Sequence, residues 1–114
     1  MNKDLKASIK QILSDNAAEA YSCLYPPESY AWGGNRKEVK NTVTLMNKIL
    51  SQIPKEAWPE NIDDSNQVKC GRWSLSFNYV DNKMAADLRW SGDDHSAWVV
   101  KRGKKFVDFD IGGS

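Results

Sequence analysis

Residues 73–90, WSLSFNYVDNKMAADLRW, decide the fold of this chain. Apolar and polar side chains alternate on both sides of Asp81-Asn82-Lys83, which is typical of two half-buried strands joined by a hairpin turn. The apolar positions are Trp73, Leu75, Phe77 and Tyr79 before the turn and Met84, Ala86, Leu88 and Trp90 after it. One face of this hairpin is therefore expected to pack on a core, and the other to face water.

Two more strands are expected after this hairpin, and the alternation that precedes it begins near Lys69. Residues 96–101 form the third strand, whose facing stays open because residues 97–100 are all apolar. The chain turns again at residues 102–104. In the fourth strand the expected core residues are Val107, Phe109 and Ile111, and the expected outward residues are Phe106, Asp108 and Asp110. Short connections favour an antiparallel meander of four strands.

Two amphipathic helices are expected before the strands, because apolar residues recur there at three- and four-residue steps. In the first helix they are Leu5, Ile9, Ile12, Leu13, Ala17, Ala20 and Leu24; in the second they are Val39, Val43, Leu45, Met46, Ile49, Leu50 and Ile53. Pro26 stops the first helix by about Tyr25, and Pro54 ends the second at Ile53. Asn35 and Glu38 resemble a capping box at the start of the second helix.

This order of elements predicts one α+β domain over residues 1–114. Its two N-terminal helices pack on one face of the four-stranded antiparallel meander sheet. Residues 55–68 have an irregular composition, and Trp58 is expected to anchor this connection on the core.

The composition argues against several functional classes. The chain has 114 residues, and 16 basic against 15 acidic side chains give a formal net charge of +1. Near-neutrality disfavours an extended nucleic-acid-binding face. No apolar run is long enough to span a bilayer, and the first ten residues lack the apolar stretch of a signal peptide. We therefore expect a cytoplasmic protein without a membrane partner.

Residues that carry chemistry are few. His95 is the single histidine, and Cys23 and Cys70 have the positions of small buried hydrophobes. Asp93-Asp94-His95 does not predict a metal site, because adjacent residues rarely converge on one ion and no second histidine is available. We expect no enzymatic activity, metal or cofactor; a small enzyme centred on His95 is the catalytic alternative.

The first candidate contact surface is the segment YPPESYAWGG at residues 25–34. Tyr30 and Trp32 lie between two prolines and two glycines, and aromatic rings on a restrained loop give a large contact area at low entropic cost. The alternative is that these rings fold back as a lid over the core.

The second candidate surface is the outward face of the sheet. Asp87 and Arg89 of the second strand and Asp108 and Asp110 of the fourth are expected there. If Trp98 also faces outward, it lies among these charges, like an interface anchor within a polar rim. The alternative is a solvated face on which charges protect a strand edge.

The third candidate surface is the basic run KRGKK at residues 101–105. Lys101, Arg102, Lys104 and Lys105 could hold a phosphate backbone, with Trp98 or Phe106 stacking on bases. The alternative is a hairpin turn that lysines keep soluble.

Together these features favour a small protein-binding domain. A stoichiometric inhibitor fits best, and an immunity protein that neutralises a bacterial toxin is one concrete form of it. Aromatic anchors and carboxylates would meet a basic surface of the partner; the expected contact residues are Tyr30, Trp32, Asp87, Trp98, Asp108 and Asp110. The alternative function is a small nucleic-acid-binding module that uses the 101–105 hairpin. Homodimerisation through a strand edge also stays open.

Overall fold

A computed structural model describes residues 3–16, 18–19, 36–58, 67–90 and 96–112. Two helices, α1 (Lys3–Asp15) and α2 (Arg36–Leu50), precede a short 3₁₀ helix (Lys55–Ala57). The strands are β1 (Gln67–Cys70), β2 (Trp73–Val80), β3 (Lys83–Trp90), β4 (Ser96–Arg102) and β5 (Lys105–Gly112). Each strand pairs with the next in the order β1-β2-β3-β4-β5, and every pairing is antiparallel. The predicted α+β class and the antiparallel sheet are confirmed.

The sheet has five strands, so the predicted number of four is wrong. The alternation from Lys69 onward hides a chain reversal at Gly71 and Arg72, after which Trp73 pairs with Cys70. Gly71 has a φ of 59°, a left-handed conformation that glycine adopts without a steric penalty. A two-residue turn of this kind separates β1 from β2.

The other described hairpins match the predicted turns. Asp81 and Asn82 have φ angles of 50° and 65°, the combination that a type I′ turn requires, and Val80 pairs with Lys83 across it. Gly103 has a φ of 67° in the turn between β4 and β5. Two-residue turns match the twist of the strands that they join and therefore fix the register of both hairpins.

Helix α1 presents its predicted apolar face to the core. Ile9 and Leu13 are buried, and Leu5 and Ile12 are partly buried against them. At the last turn, the Asn16 side-chain amide donates to the carbonyl oxygen of Ile12 at 2.7 Å. The remaining predicted positions of this face, Ala17, Ala20 and Leu24, lie outside the described residues.

Helix α2 ends at Leu50, three residues before the predicted end at Ile53. The amides of Gln52 and Ile53 donate to the carbonyls of Ile49 and Leu50 at 3.1 Å, so a tighter i to i−3 turn replaces the last α-helical turn. Ile53 is nevertheless buried, as its apolar spacing predicted. The capping pair predicted at Asn35 and Glu38 lies outside the described side chains.

Both helices pack on the same face of the sheet, as predicted. Their buried residues belong to one cluster with sheet residues Val68, Trp73, Leu75, Phe77, Ala86, Leu88, Ala97, Val99 and Phe106. Helix α1 contacts β1, whereas α2 contacts β4 and β5. Neither described helix is long and apolar enough to cross a membrane.

Trp58 anchors the connection after α2, as predicted. Its indole ring is buried, with its centroid 4.6 Å from that of Phe77 in an edge-on arrangement and 6.0 Å from that of Phe106. The indole Nε1 donates to the carbonyl oxygen of Ala85 at 2.9 Å, so the polar atom of this large ring is satisfied. The Tyr79 hydroxyl donates to the carbonyl oxygen of Trp58 at 3.1 Å.

Asn47 of α2 joins the helix to the edge strand β5. Its Nδ2 donates to the carbonyl oxygen of Phe106 at 2.8 Å, and its Oδ1 accepts from the amide of the same residue at 2.9 Å. The side chain thus pairs with an edge-strand residue as a neighbouring strand would, which satisfies two backbone groups that β4 does not reach.

Candidate functional site

The register places Trp98 on the sheet face opposite the helices, which we call the outer face. Its neighbours Ala97 and Val99 are fully buried in the core that the helices share. Successive side chains of a strand point to opposite faces, so Trp98 points away from that core. Trp98 pairs with Asp87 of β3 and Asp110 of β5.

Asp87 also lies on the outer face, but it is 2% exposed, so the expectation of a solvated carboxylate is wrong. Its Oδ2 accepts a hydrogen bond from Arg89 Nε at 2.6 Å, and the Arg89 side chain is 57% exposed. Ala85 and Val100 are likewise buried although they point away from the helices. These residues occupy central strands, where side chains on both neighbouring strands shield a short one from water.

Phe109 shows the largest departure from the predicted pattern. Expected in the core, it is 53% exposed, and its ring centroid lies 6.5 Å from that of Trp98 in an edge-on arrangement. The register shifts between Trp98, which pairs with Asp110, and Val99, which pairs with Asp108. Because Asp108 pairs with Val99, the next residue, Phe109, falls on the outer face beside Trp98; the bulge leaves Phe109 as the extra residue and lets Asp110 pair with Trp98.

Phe106 departs from the predicted facing in the opposite direction to Phe109. It was expected to point outward, yet it is 9% exposed and belongs to the core. The turn at Gly103 pairs Arg102 with Lys105, so Phe106 falls opposite Lys101 on the helix-covered side. The parity predicted for the last strand was therefore inverted over residues 106–109, and the bulge restores it at Asp110.

Asp108 does not join the outer face, contrary to expectation. It is exposed, but it pairs with Val99, whose side chain points toward the helices. Asp110 does pair with Trp98, although its side chain is outside the described set. The structure therefore brings together Asp87, Arg89, Trp98 and Phe109. Asp87 and Trp98 were predicted contact residues, Arg89 was expected only on the same face, and Phe109 was expected in the core.

We call Trp98 and Phe109 the aromatic patch. Nothing in the local sequence FVDFD marks which residue is the extra one of the bulge. The only signal available was the two-residue turn at Gly103, which fixes the parity of β5 once Val99 is assigned to the core.

Several other residues considered in the sequence lie outside the described residues: Cys23, Tyr30, Trp32, Asp93, Asp94 and His95. Cys70 is a free thiol, partly buried against the core, in keeping with its expected role as a small hydrophobe. Within the described ranges, no three His, Cys, Asp or Glu side chains are grouped so that they could hold a metal ion.

A second surface lies at the end of the sheet where the hairpin turns at 81–82 and 103–104 meet. Four basic residues line a groove of about 610 Å³ there: Lys55, Lys83, Lys101 and Arg102. Its other lining residues are Tyr79, Asn82, Met84 and Gly103, and we call the whole the basic groove. Only Lys101 and Arg102 come from the basic run noted in the sequence; Lys55 and Lys83 are distant along the chain.

A smaller pocket of about 270 Å³ adjoins the basic groove and shares Lys55, Met84 and Lys101 with it. Its remaining lining combines apolar and polar side chains, with Lys104 as a further cation: Asn47, Leu50, Ser51, Ile53, Trp58, Lys104 and Phe106. No Asp or Glu lines either pocket in the part of the chain that the structure describes.

The aromatic patch and the basic groove are thus two described surfaces with the chemistry for ligand contact. The first is apolar with one exposed guanidinium beside it, and the second is cationic with a partly apolar recess. Comparisons with protein-family models, with curated proteins and with solved structures found no match for this chain.

Proposed function

We propose that this protein is a protein-binding domain that contacts its partner through the aromatic patch on the outer face of the sheet. The observation that supports this most is the 53% exposure of Phe109 beside Trp98. An aromatic ring that stays in water forgoes the roughly 25 cal/mol per Å² that its burial would yield. Aromatic residues are enriched in the buried centres of protein interfaces, where a few of them supply most of the binding energy.

The patch is presented by a rigid support. Trp98 lies in β4, which pairs on both sides, and the two residues that flank Phe109, Asp108 and Asp110, both pair with β4. A partner that covers a paired sheet does not have to order the backbone, because the backbone is already ordered. This favours recognition by a pre-formed face.

The charge beside the patch differs from the sequence-based expectation of several carboxylates. Asp87 is buried and paired with Arg89, while Asp108 lies on the other side of the sheet. Arg89 is diagonal to Trp98 on the outer face, and the Asp87 carboxylate holds its guanidinium in place. A partner surface that offers an apolar cleft for the two rings and a carboxylate for Arg89 would complement this arrangement.

The specific form that we propose is a stoichiometric inhibitor, such as an immunity protein that blocks a toxin. A pre-formed sheet face can cover the functional surface of another protein without a conformational change of its own. Small size and the aromatic patch support this form, and identification of the partner is what tests it.

The test is affinity capture from a lysate of the source organism, read by mass spectrometry, with three versions of the chain. Phe109→Ala removes the exposed ring. Asp108→Ala is the matched control, because Asp108 is also exposed and adjacent in sequence but lies on the face of the sheet that the helices cover. We expect wild type and Asp108→Ala to retain one stoichiometric protein partner, and Phe109→Ala to lose it. Removal of a central aromatic anchor commonly costs about 2 kcal/mol or more, which is roughly a 30-fold weakening.

The control for this test is the circular dichroism spectrum of Phe109→Ala, which should match that of wild type. Equal capture of the same partner by all three chains would contradict the proposed surface. Capture of nucleic acid alone would contradict the proposed function.

The second candidate function, a nucleic-acid-binding module, has support from the cations of the basic groove. The two residues proposed to stack on bases are badly placed for that role. Phe106 is buried against Trp58, and Trp98 is on the opposite side of the sheet from Phe106. What the described residues offer nucleic acid is therefore phosphate contact, which carries no sequence information by itself.

A further inference from the structure

We propose that the basic groove binds a small phosphorylated molecule of about nucleotide size, with its phosphoryl groups on Lys55, Lys83, Lys101 and Arg102. This site is separate from the aromatic patch, so it goes beyond the protein-binding function proposed above. Three arguments support it: the charge balance of the groove, the rigidity of its walls and its shape.

The charge balance is unusual for a protein of net charge +1. Four cations from the 3₁₀ helix, β3 and β4 converge on one groove that no described Asp or Glu lines. The described ion pairs, Lys48 with Glu19 and Arg89 with Asp87, involve none of the four. Cations held together without a counter-charge repel one another, and an anionic ligand relieves this repulsion.

The walls of the groove are fixed before any ligand arrives. The pairing of Ala85 with Val100 sets the start of β3 beside the end of β4, and tight turns at Asn82 and Gly103 form the rim. Lys55 belongs to the 3₁₀ helix, whose last turn closes with a bond of 3.0 Å from the Trp58 amide to the Lys55 carbonyl. Since Trp58 is itself tied to Ala85 and Tyr79, all three wall segments are coupled to the core.

The volume and lining of the basic groove and of the adjoining pocket indicate which class of ligand would fit. A groove of about 610 Å³ is within the range of small-molecule sites, roughly 300–1,000 Å³. The adjoining pocket of about 270 Å³ has both apolar and polar lining residues and shares Lys55 and Lys101 with the groove. A ligand with phosphoryl groups at one end and a compact, less polar part at the other would fill both spaces, and a nucleotide has this form. Lysine and arginine are the side chains that proteins use to bind phosphate.

The matched control comes from a second basic surface of the same chain. Lys6, Lys10 and Lys69 line a pocket of about 550 Å³ between α1 and β1. The other described residues that line that pocket are Gln67 and Val68. Two lysines can thus be removed at either place with the same change in net charge.

The experiment is isothermal titration of the full chain with inorganic phosphate, AMP, ATP and a single-stranded thymidine oligonucleotide. We expect ATP to bind at one site, more tightly than AMP or inorganic phosphate. The double variant Lys83→Ala/Lys101→Ala should weaken ATP binding by about tenfold or more, since each lost phosphate contact removes a charge-assisted hydrogen bond. Lys10→Ala/Lys69→Ala should bind ATP as wild type does. Lys101→Arg, which preserves the charge, should retain most of the affinity.

Three results would overturn the proposal. One is the absence of saturable binding by any of the phosphate compounds. Another is an equal loss in the two double variants, which would show attraction by net charge alone. The third is an affinity for the oligonucleotide that exceeds that for ATP and grows with its length, which would assign the groove to a nucleic-acid backbone. Both double variants are checked by circular dichroism, and neither changes a core residue. Failure of this test would leave the aromatic patch unaffected, because none of its residues lines the groove.

Discussion

At the scale of single residues, the outer face shows how far an alternating pattern can be trusted. The spacing of Asp87 and Arg89 correctly placed both on the face away from the helices. It could not show that Asp87 is buried while Arg89 is exposed, because burial on that face depends on neighbours from other strands. In the resulting ion pair, the Arg89 side chain is exposed and the Asp87 carboxylate is buried.

The Asp87–Arg89 pair is expected to contribute to stability. Arg89→Ala removes a hydrogen-bonded cation from a buried carboxylate, and the exposure of Arg89 limits the penalty to about 1–2 kcal/mol. Urea unfolding of wild type and variant measures this difference. Arg102→Ala, an exposed arginine outside the described ion pairs, is the matched control and should change stability by less than about 0.5 kcal/mol. If both variants unfold at the same urea concentration, the pair is not stabilising.

Asn47 supports a second prediction at this scale. Asn47→Leu keeps a side chain of similar length but leaves the Phe106 amide and carbonyl without their partner. We expect a loss of about 2–3 kcal/mol in the free energy of unfolding, because two backbone groups at a partly buried place lose their hydrogen bonds. Thr44→Ala, on the exposed side of the same helix, is the control, and denaturant unfolding is the measurement. A loss no larger than that of the control would show that Asn47 does not tie α2 to β5.

At the scale of elements, the sequence predicted what local physics determines and missed what long-range pairing determines. Helix faces, the Asp81-Asn82 turn and the alternation of β2 follow from neighbouring residues, and each is present. The bulge at Phe109 depends on how β5 matches β4, and the short strand β1 depends on a reversal within an alternating stretch. The same division applies to the sites, since Trp98 was a candidate from its own strand whereas Lys55 and Lys83 meet Lys101 only in the fold.

The reversal between β1 and β2 can be tested at Gly71. A Cβ at this position meets no atom within 4 Å, so the effect of a substitution comes from the positive φ alone. Gly71→Ala is expected to cost about 1–2 kcal/mol, and Gly71→Asn less, because asparagine tolerates the left-handed region. Thermal unfolding of wild type and the two variants measures their order of stability. Equal stability of wild type and Gly71→Ala would mean that the chain does not turn there.

At the scale of the whole molecule, near-zero net charge conceals a separation of surfaces. The aromatic patch lies on the outer face, while the basic groove lies at the sheet end between two hairpin turns. Binding through an apolar patch depends little on ionic strength, whereas binding of a phosphorylated ligand is screened by salt.

The two surfaces should therefore respond differently to salt. A tenfold rise in NaCl concentration should weaken ATP binding several-fold and change the affinity for the protein partner by less than about threefold. Titration calorimetry at both salt concentrations provides the comparison, with Phe109→Ala expected to leave ATP binding unchanged. If salt weakens the binding of ATP and of the protein partner by similar factors, charge dominates both contacts.

The central claim is that the outer face, around Trp98 and Phe109, is the surface that meets a partner protein. Amide hydrogen exchange of this chain, measured with and without the captured partner, tests it most directly. The account predicts that added protection is concentrated in β4 and β5 around residues 96–100 and 107–112 and is absent from α1. Protection confined to the helices or to the turns at 81–82 and 103–104, with β4 and β5 unchanged, would contradict it.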